Sequence, residues 1–293
     1  MQKDDKKVGI LFIALCIFLW SLIPIVTKSV HSSLDHHQFL FYSSIFSFLS
    51  LFFIALFQKS LGEIFSYSKQ SVLMLFALGF LDFLYYLLLY FGYLNANGLE
   101  VLVVQYMWPI FIVLLSPFLL HERLTKRKIF ALFFGFLGVF LTFTKGDFSS
   151  VDFSNWGVLF VVMLGTFSFA LFSVLSKKIS TNPTNAVMIY FFSAILYSFV
   201  SMRAFSSFVF PSTKDFLAIF VNGVFLNGIS YLFWVKGLKI FHASKIAPYI
   251  FIIPVLAAFF MIFIYNEPIL KIYFAGLFFV ILSGLINAIN YKI

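Results

Sequence analysis

Of the 11 acidic residues in this 293-residue chain, Asp82 alone lies near the middle of a long apolar run. An ionised carboxylate in hydrocarbon costs at least about 2.5–3.5 kcal/mol, so Asp82 must face a polar cavity or carry a proton. Tyr86, Tyr90 and Tyr93 follow it at i+4, i+8 and i+11, on the same face of a helix. Further on, Gly223, Asn227, Tyr231 and Trp234 repeat that spacing, with Asn227 placed 145 residues after Asp82. Two polar-aromatic stripes facing each other would line a substrate cavity at the membrane midplane. The alternative is structural: Asp82 makes an interhelical hydrogen bond, with Asn227 as candidate partner, and holds a bundle together. Proton coupling is a further step within the cavity reading, because burial favours the neutral carboxyl and lets it load and release a proton.

Gln105 lies one turn before Pro109 and can both donate and accept, which suits a substrate carboxylate or amine. Tyr106 and Trp108 could stack on an aromatic or apolar ligand, although helix packing and lipid contact are competing uses for any aromatic in a chain with 46 Phe. Trp20, Trp234 and Tyr249 complete the expected cavity set. Pro24, Pro109 and Pro254 each remove a backbone hydrogen bond within an apolar run, and are expected hinge or gating positions.

Glu122 and Glu267 follow the ends of two runs. With Arg123, Lys126 and Arg127 beside it, Glu122 is expected to form a helix-end ion pair, with a gate contact as the alternative; Glu267 is read the same way. His31, Asp35, His36 and His37 are ligand types in a short loop whose geometry nothing fixes, so no metal site is assigned. The single Cys16 excludes an intramolecular disulfide within the chain. There is no Gly-rich phosphate loop, Walker motif or Ser-His-Asp arrangement. No cofactor is expected, and a lone Asp82 without a catalytic partner argues against an enzyme.

The elements that must position these residues are ten apolar runs, at about 8–29, 37–57, 71–94, 98–119, 128–144, 155–177, 184–204, 215–240, 243–265 and 271–290. Hydrophobic residues make up 62% and charged residues 11%, with a mean hydropathy of +1.04, which no soluble domain of this size could bury. The expected fold is therefore all-α and integral to the membrane, with lipids as its surroundings. The net charge of +9 is spread over short connections, so it reads as topology signal and headgroup contact and not as a nucleic-acid surface. The first run is too long for a signal-peptide core and is followed by more spans, so it is read as an uncleaved helix.

With the N-terminus inside, the cytoplasmic segments carry Lys3, Lys6, Lys7, Lys59, Lys69, Arg123, Lys126, Arg127, Lys128, Lys177, Lys178, Lys236, Lys239, Lys245 and Lys292, 15 of the 20 basic residues. Lys28, Lys145, Arg203, Lys214 and Lys271 fall on the other side. That three-to-one bias places both termini in the cytoplasm. High Phe, Ile and Lys content is compatible with a low-GC bacterium, and the plasma (inner) membrane is the expected location.

The chain also repeats itself. At a constant offset of 145, Gly92 falls on Gly237, Pro109 on Pro254 and Glu122 on Glu267; at 149, Trp20 falls on Phe169, Pro24 on Ser173 and Lys28 on Lys177. Residues 1–147 and 148–293 are accordingly two five-helix repeats. Five is odd, so the second repeat enters the membrane from the opposite side, the inverted-topology plan of many secondary transporters.

Tyr106-Met107-Trp108-Pro109, His121-Glu122-Arg123-Leu124, its echo Asn266-Glu267-Pro268-Ile269, and Trp20…Pro24…Lys28 together resemble the drug/metabolite transporter superfamily, in particular its EamA-type ten-helix members. The aromatic-x-Trp-Pro form is most similar to the aromatic amino acid exporter branch. Ile253 stands where the first repeat has Trp108, and Asn266 where the family motif usually has Gly. The resemblance implies a central cavity between the repeats, lined by the first, third and fourth helix of each, and a small uncharged or zwitterionic metabolite moved by alternating access. Amino acid export is the first expectation. Uptake or exchange of S-adenosylmethionine or another nucleoside-type metabolite is the second, since the family also carries such substrates. A membrane scaffold that moves nothing is the reading from another class, and it leaves the polarity of both stripes unexplained. Coupling ion and oligomeric state, a homodimer included, stay open.

Overall fold

Inside a bilayer every backbone N–H and C=O must be satisfied within the chain, and long apolar runs meet that demand as helices. In the computed structural model, residues 3–29, 33–151 and 155–288 are described. His31 and Lys292 lie outside the described residues, as do the side chains of Lys3 and Lys28. Ten helices are long and apolar enough to cross a membrane: α1 (Asp4–Val26), α2 (His36–Phe57), α3 (Lys69–Asn95), α4 (Gly98–Leu120), α5 (Lys126–Thr144), α6 (Trp156–Lys178), α7 (Pro183–Phe205), α8 (Thr213–Ile240), α9 (Ala243–Tyr265) and α10 (Lys271–Ala288). They match the ten apolar runs to within a few residues. The chain is a multi-pass membrane protein, and large side chains such as Phe57, Phe118 and Phe274, 84%, 80% and 64% exposed, supply its lipid-facing surface.

Local chemistry sets the helix starts. Asp35 accepts from the N–H groups of His37 and Gln38 in a capping box at the head of α2, and Ser206 donates to the same carboxylate. His37 is engaged with Ser201 at 2.7 Å. Ser212 and Asp215 form the corresponding box before α8, where Asp215 also accepts from the N–H and hydroxyl of Ser33 at 2.7 and 2.8 Å. Asn182 caps α7 with Pro183 in the first turn.

The helices divide into two compact units. The first holds residues 1–87 and 175–240, and the second residues 88–174 and 241–293, so each draws on both halves of the sequence. In the first unit Gly223 lets α8 approach the backbone of α2, and Ser47 closes the contact by donating to the Gly223 carbonyl at 2.8 Å. Phe12 and Phe233 stack α1 on α8 with centroids 5.6 Å apart. In the second unit α5 and α10 meet at Gly138 and Gly276, and Ser283 donates to the Ala131 carbonyl at 2.6 Å.

Candidate functional site

Within the first unit, α1, α3, α7 and α8 bring one polar-aromatic cluster together. Asp82 on α3 is 4% exposed, and Tyr231 on α8 donates to its Oδ1 at 2.8 Å. Among the described residues no donor reaches Oδ2. The Tyr231 and Tyr86 hydroxyls are 3.1 Å apart, and Tyr86 in turn lies 3.4 Å from Asn227 Oδ1. Asn227 is therefore the outer member of a Tyr231–Tyr86 chain and not the partner of Asp82 that the sequence suggests. The longer phenol spans what the shorter amide does not.

The aromatic wall follows from residues equally spread along the chain. Trp20 on α1 donates from Nε1 to Ser230 Oγ at 2.9 Å, and Ser230 in turn donates to the Leu226 carbonyl at 2.6 Å. Trp20 stands edge-on to Tyr231 at 5.8 Å and tilted against Trp234 at 5.6 Å. Phe191 of α7 closes the other side, edge-on to Tyr231 at 5.4 Å. Sequence reasoning missed Ser230 and Phe191. Ser230 could have been read as a small polar residue inside the α8 stripe; Phe191 carried no signal among so many phenylalanines.

Four of the membrane helices are not continuous α-helix. In α1 the helix stops at Ser21 and resumes at Ile23, one residue before Pro24. In α4 it stops at Gln105 and restarts at Trp108 with Pro109 in the new first turn, where a missing N–H is tolerated. In α9 a 3-10 stretch over Ala247–Phe251 precedes the segment that carries Pro254. In α8, Asn222–Ile229 is π-helical, a form that concentrates at functional positions. The π stretch splits the stripe read from the sequence: Gly223 faces Ser43 and Phe46 of α2, while Tyr231 points to Asp82. Its available signal was the pair of Asn-Gly steps, at Asn222 and Asn227, five residues apart.

The remaining expected residues fall in the second unit. Gln105 accepts from the Tyr93 hydroxyl at 2.9 Å. Trp108 is buried edge-on to Phe169 at 5.0 Å, and Tyr106 packs on Phe143 of α5 at 5.3 Å. Tyr249 sits over Gly284 of α10, and Tyr90 occupies the last turns of α3. Glu267 lies 3.8 Å from Lys145.

Glu122 does not pair with its neighbours Arg123, Lys126 or Arg127. It accepts from the N–H groups of Ala243 and Ser244, both at 2.9 Å, and from the Ser244 hydroxyl at 2.5 Å, with His242 Nδ1 at 3.5 Å. Burial alone would raise this carboxyl, but the Ser244 hydroxyl, the two N–H groups and the His242 ring outweigh it and hold Glu122 below its ordinary value of 4.5. The backbone explains the aim: His121 adopts a left-handed conformation at φ 54°, which turns the chain back at the end of α4.

Comparison with known proteins agrees with this architecture. The EamA-like transporter family matches residues 7–144 and again 155–289. The chain is 26% identical over 277 residues to the uncharacterized transporter YojE of Bacillus subtilis, covering 92% of this chain and 89% of that one. It is 27% identical over 259 residues to an S-adenosylmethionine uptake transporter of Rickettsia prowazekii, covering 85% and 84%. A solved crystal structure superposes with a TM-score of 0.86 over 98% of this chain and 97% of its own, at 16% identity, a likeness of fold alone. The chain belongs to the EamA-like transporter family.

Proposed function

We propose that this family member is a secondary transporter for a small metabolite of amino-acid type, with Asp82 at the centre of its substrate site. One observation carries the reading: a carboxylate buried at mid-span, given a single phenol donor by its own fold and walled by Trp20, Phe191, Tyr231 and Trp234. A charge-bearing group kept this dry needs an occasional partner. The partner that suits it is cationic, since an ammonium or sulfonium gains from the carboxylate and from aromatic faces alike. Neither Lys nor Arg contacts Asp82 among the described residues, so an anionic nucleotide would find no counter-charge at this carboxylate.

Amino acid export across the bacterial plasma membrane, with an aromatic side chain favoured by the Tyr106-x-Trp108-Pro109 form, is the first reading. Uptake or exchange of S-adenosylmethionine is the second, favoured by the Rickettsia relative. Both substrates carry an α-amino group, and S-adenosylmethionine adds a sulfonium. Alternating access by residues 1–147 and 148–293 as inverted repeats is the mechanism, with the breaks near Pro24, Pro109 and Pro254 as its moving joints. Protonation of Asp82 in exchange for substrate is the coupling step we propose.

Transport into proteoliposomes tests this, with amino acids, S-adenosylmethionine, nucleosides and cationic drugs offered with and without a pH gradient. Movement of an amino acid or of S-adenosylmethionine decides between the two readings. Loss of gradient dependence in Asp82→Asn supports the coupling step, whereas unchanged coupling in that variant removes it. No movement of any compound would sink the transporter-site reading as a whole.

A further inference from the structure

Glu122 does for α9 what a capping side chain does for an ordinary helix. His242, at the N-cap position, makes no side-chain cap bond, and the Glu122 carboxylate arriving from the end of α4 takes the first two N–H groups in its place. Lys128 braces the contact by donating to Ser244 Oγ at 2.6 Å and to the Arg123 carbonyl at 2.6 Å. All these residues lie in the second unit.

The same unit contains the counterpart of each part, 145 residues away. Glu267 stands for Glu122, Asn266 for His121, Asn97 for His242, and Gly98 and Leu99 for Ala243 and Ser244. The local backbone is the same, since Asn266 is left-handed at φ 52° as His121 is at 54°. The outcome is different. Leu99 N–H is taken by Asn97 at 2.9 Å, and Glu267 is ion-paired with Lys145, its side chain 26% exposed against 2% for Glu122. Ala243 and Ser244 are 0% and 1% exposed, while Gly98 is open to solvent.

Two carboxylates at equivalent sequence positions, one holding a helix start and the other ion-paired with Lys145 instead, are what an inverted repeat would show in one of its two end states. We infer that Glu122 and Glu267 are positioning residues of the transport cycle, which cap the N-termini of α9 and α4 in alternation. In the opposite state Glu267 leaves Lys145 and takes the N–H groups of Gly98 and Leu99, while Glu122 releases Ala243 and Ser244. The inference rests on the alternating-access reading, but its test reads backbone amides and not substrate.

Hydrogen–deuterium exchange of the full-length protein in lipid nanodiscs can follow both helix starts at once. In Glu122→Gln, amides of residues 243–246 should exchange faster by about tenfold or more, and those of 98–101 should exchange more slowly than in the parent. In Glu267→Gln the 243–246 amides should stay protected, and the double variant should leave both starts fast. Ser244→Ala, which keeps both backbone bonds, should shift the same peptides in the same directions by less, and it serves if Glu122→Gln does not fold. Faster exchange at 243–246 with no change at 98–101 would reduce Glu122 to a static cap and overturn the alternation. Reciprocal exchange in a protein that moves none of the compounds offered would keep the latch and remove the substrate reading.

Discussion

Tyr231 donates to one carboxylate oxygen of Asp82 at 2.8 Å. Tyr231→Phe keeps the ring contacts with Trp20 and Phe191 and removes that donor, so the protein should fold while substrate binding changes. Asp82→Asn keeps the shape and removes the charge. It should weaken binding of a cationic substrate by at least about tenfold, or about 1.4 kcal/mol, measured by titration of purified protein. An unchanged affinity would make Asp82 a packing residue. Glu122 gives a different signature. Its carboxyl is held low in the fold, so its contribution to stability is fully present above pH 4.5 and is lost as pH falls through the lower folded value. The gap in thermal midpoint between the parent and Glu122→Gln should be widest at neutral pH and close in acid. Asp82 was legible in the sequence because a carboxylate in an apolar run is conspicuous. The Glu122 contact was not, since the N–H groups it accepts lie more than 120 residues on and bear no mark of their partner.

At the scale of the helix, the breaks divide by cause. The α4 break follows from chemistry visible in the residue itself: Pro109 has no N–H for the Gln105 carbonyl, and Met107 turns to Val104 at 3.1 Å. Pro109→Ala restores a donor and should let α4 run through, raising the thermal midpoint while slowing transport; a faster transporter would show that the break is not a joint. The π stretch of α8 is less legible, because apolar periodicity is nearly blind to one extra residue per turn, and its Asn-Gly steps also suit an ordinary tight contact. The sequence pattern therefore makes Gly223 to Trp234 one face, whereas Gly223 belongs to the α2 contact. The ten spans themselves were plain, since about 20 apolar residues in a row have one outcome in lipid. Their packing was not: Gly138 and Gly276 gave no hint of each other. A side chain at Gly138 would meet the Gly276 carbonyl at 2.7 Å and Val280, so Gly138→Leu should destabilise by about 1–3 kcal/mol, seen as a lower thermal midpoint in detergent.

For the whole molecule, ten crossings return the chain to the side on which it started, so the segments before α1 and after α10 share one compartment. Charge argues for one of the two: the helix ends and connections on that side, with the flanking segments, hold 15 of the 20 Lys and Arg residues. Anionic lipid attracts such segments and the membrane potential opposes their export, so they are expected in the cytoplasm. Two matches of one family, over 7–144 and 155–289, with five spans in each, would then enter the membrane with opposite orientation. Alkaline phosphatase, active only outside the cytoplasm, gives the test. Fused after α10 it should be inactive, and a fluorescent protein at the same place should be bright. Fused at Asp147, in the connection between α5 and α6, the phosphatase should be active, because five crossings precede it. Activity after α10 with silence at Asp147 would invert the molecule and move Glu122 and the α9 start to the outer face.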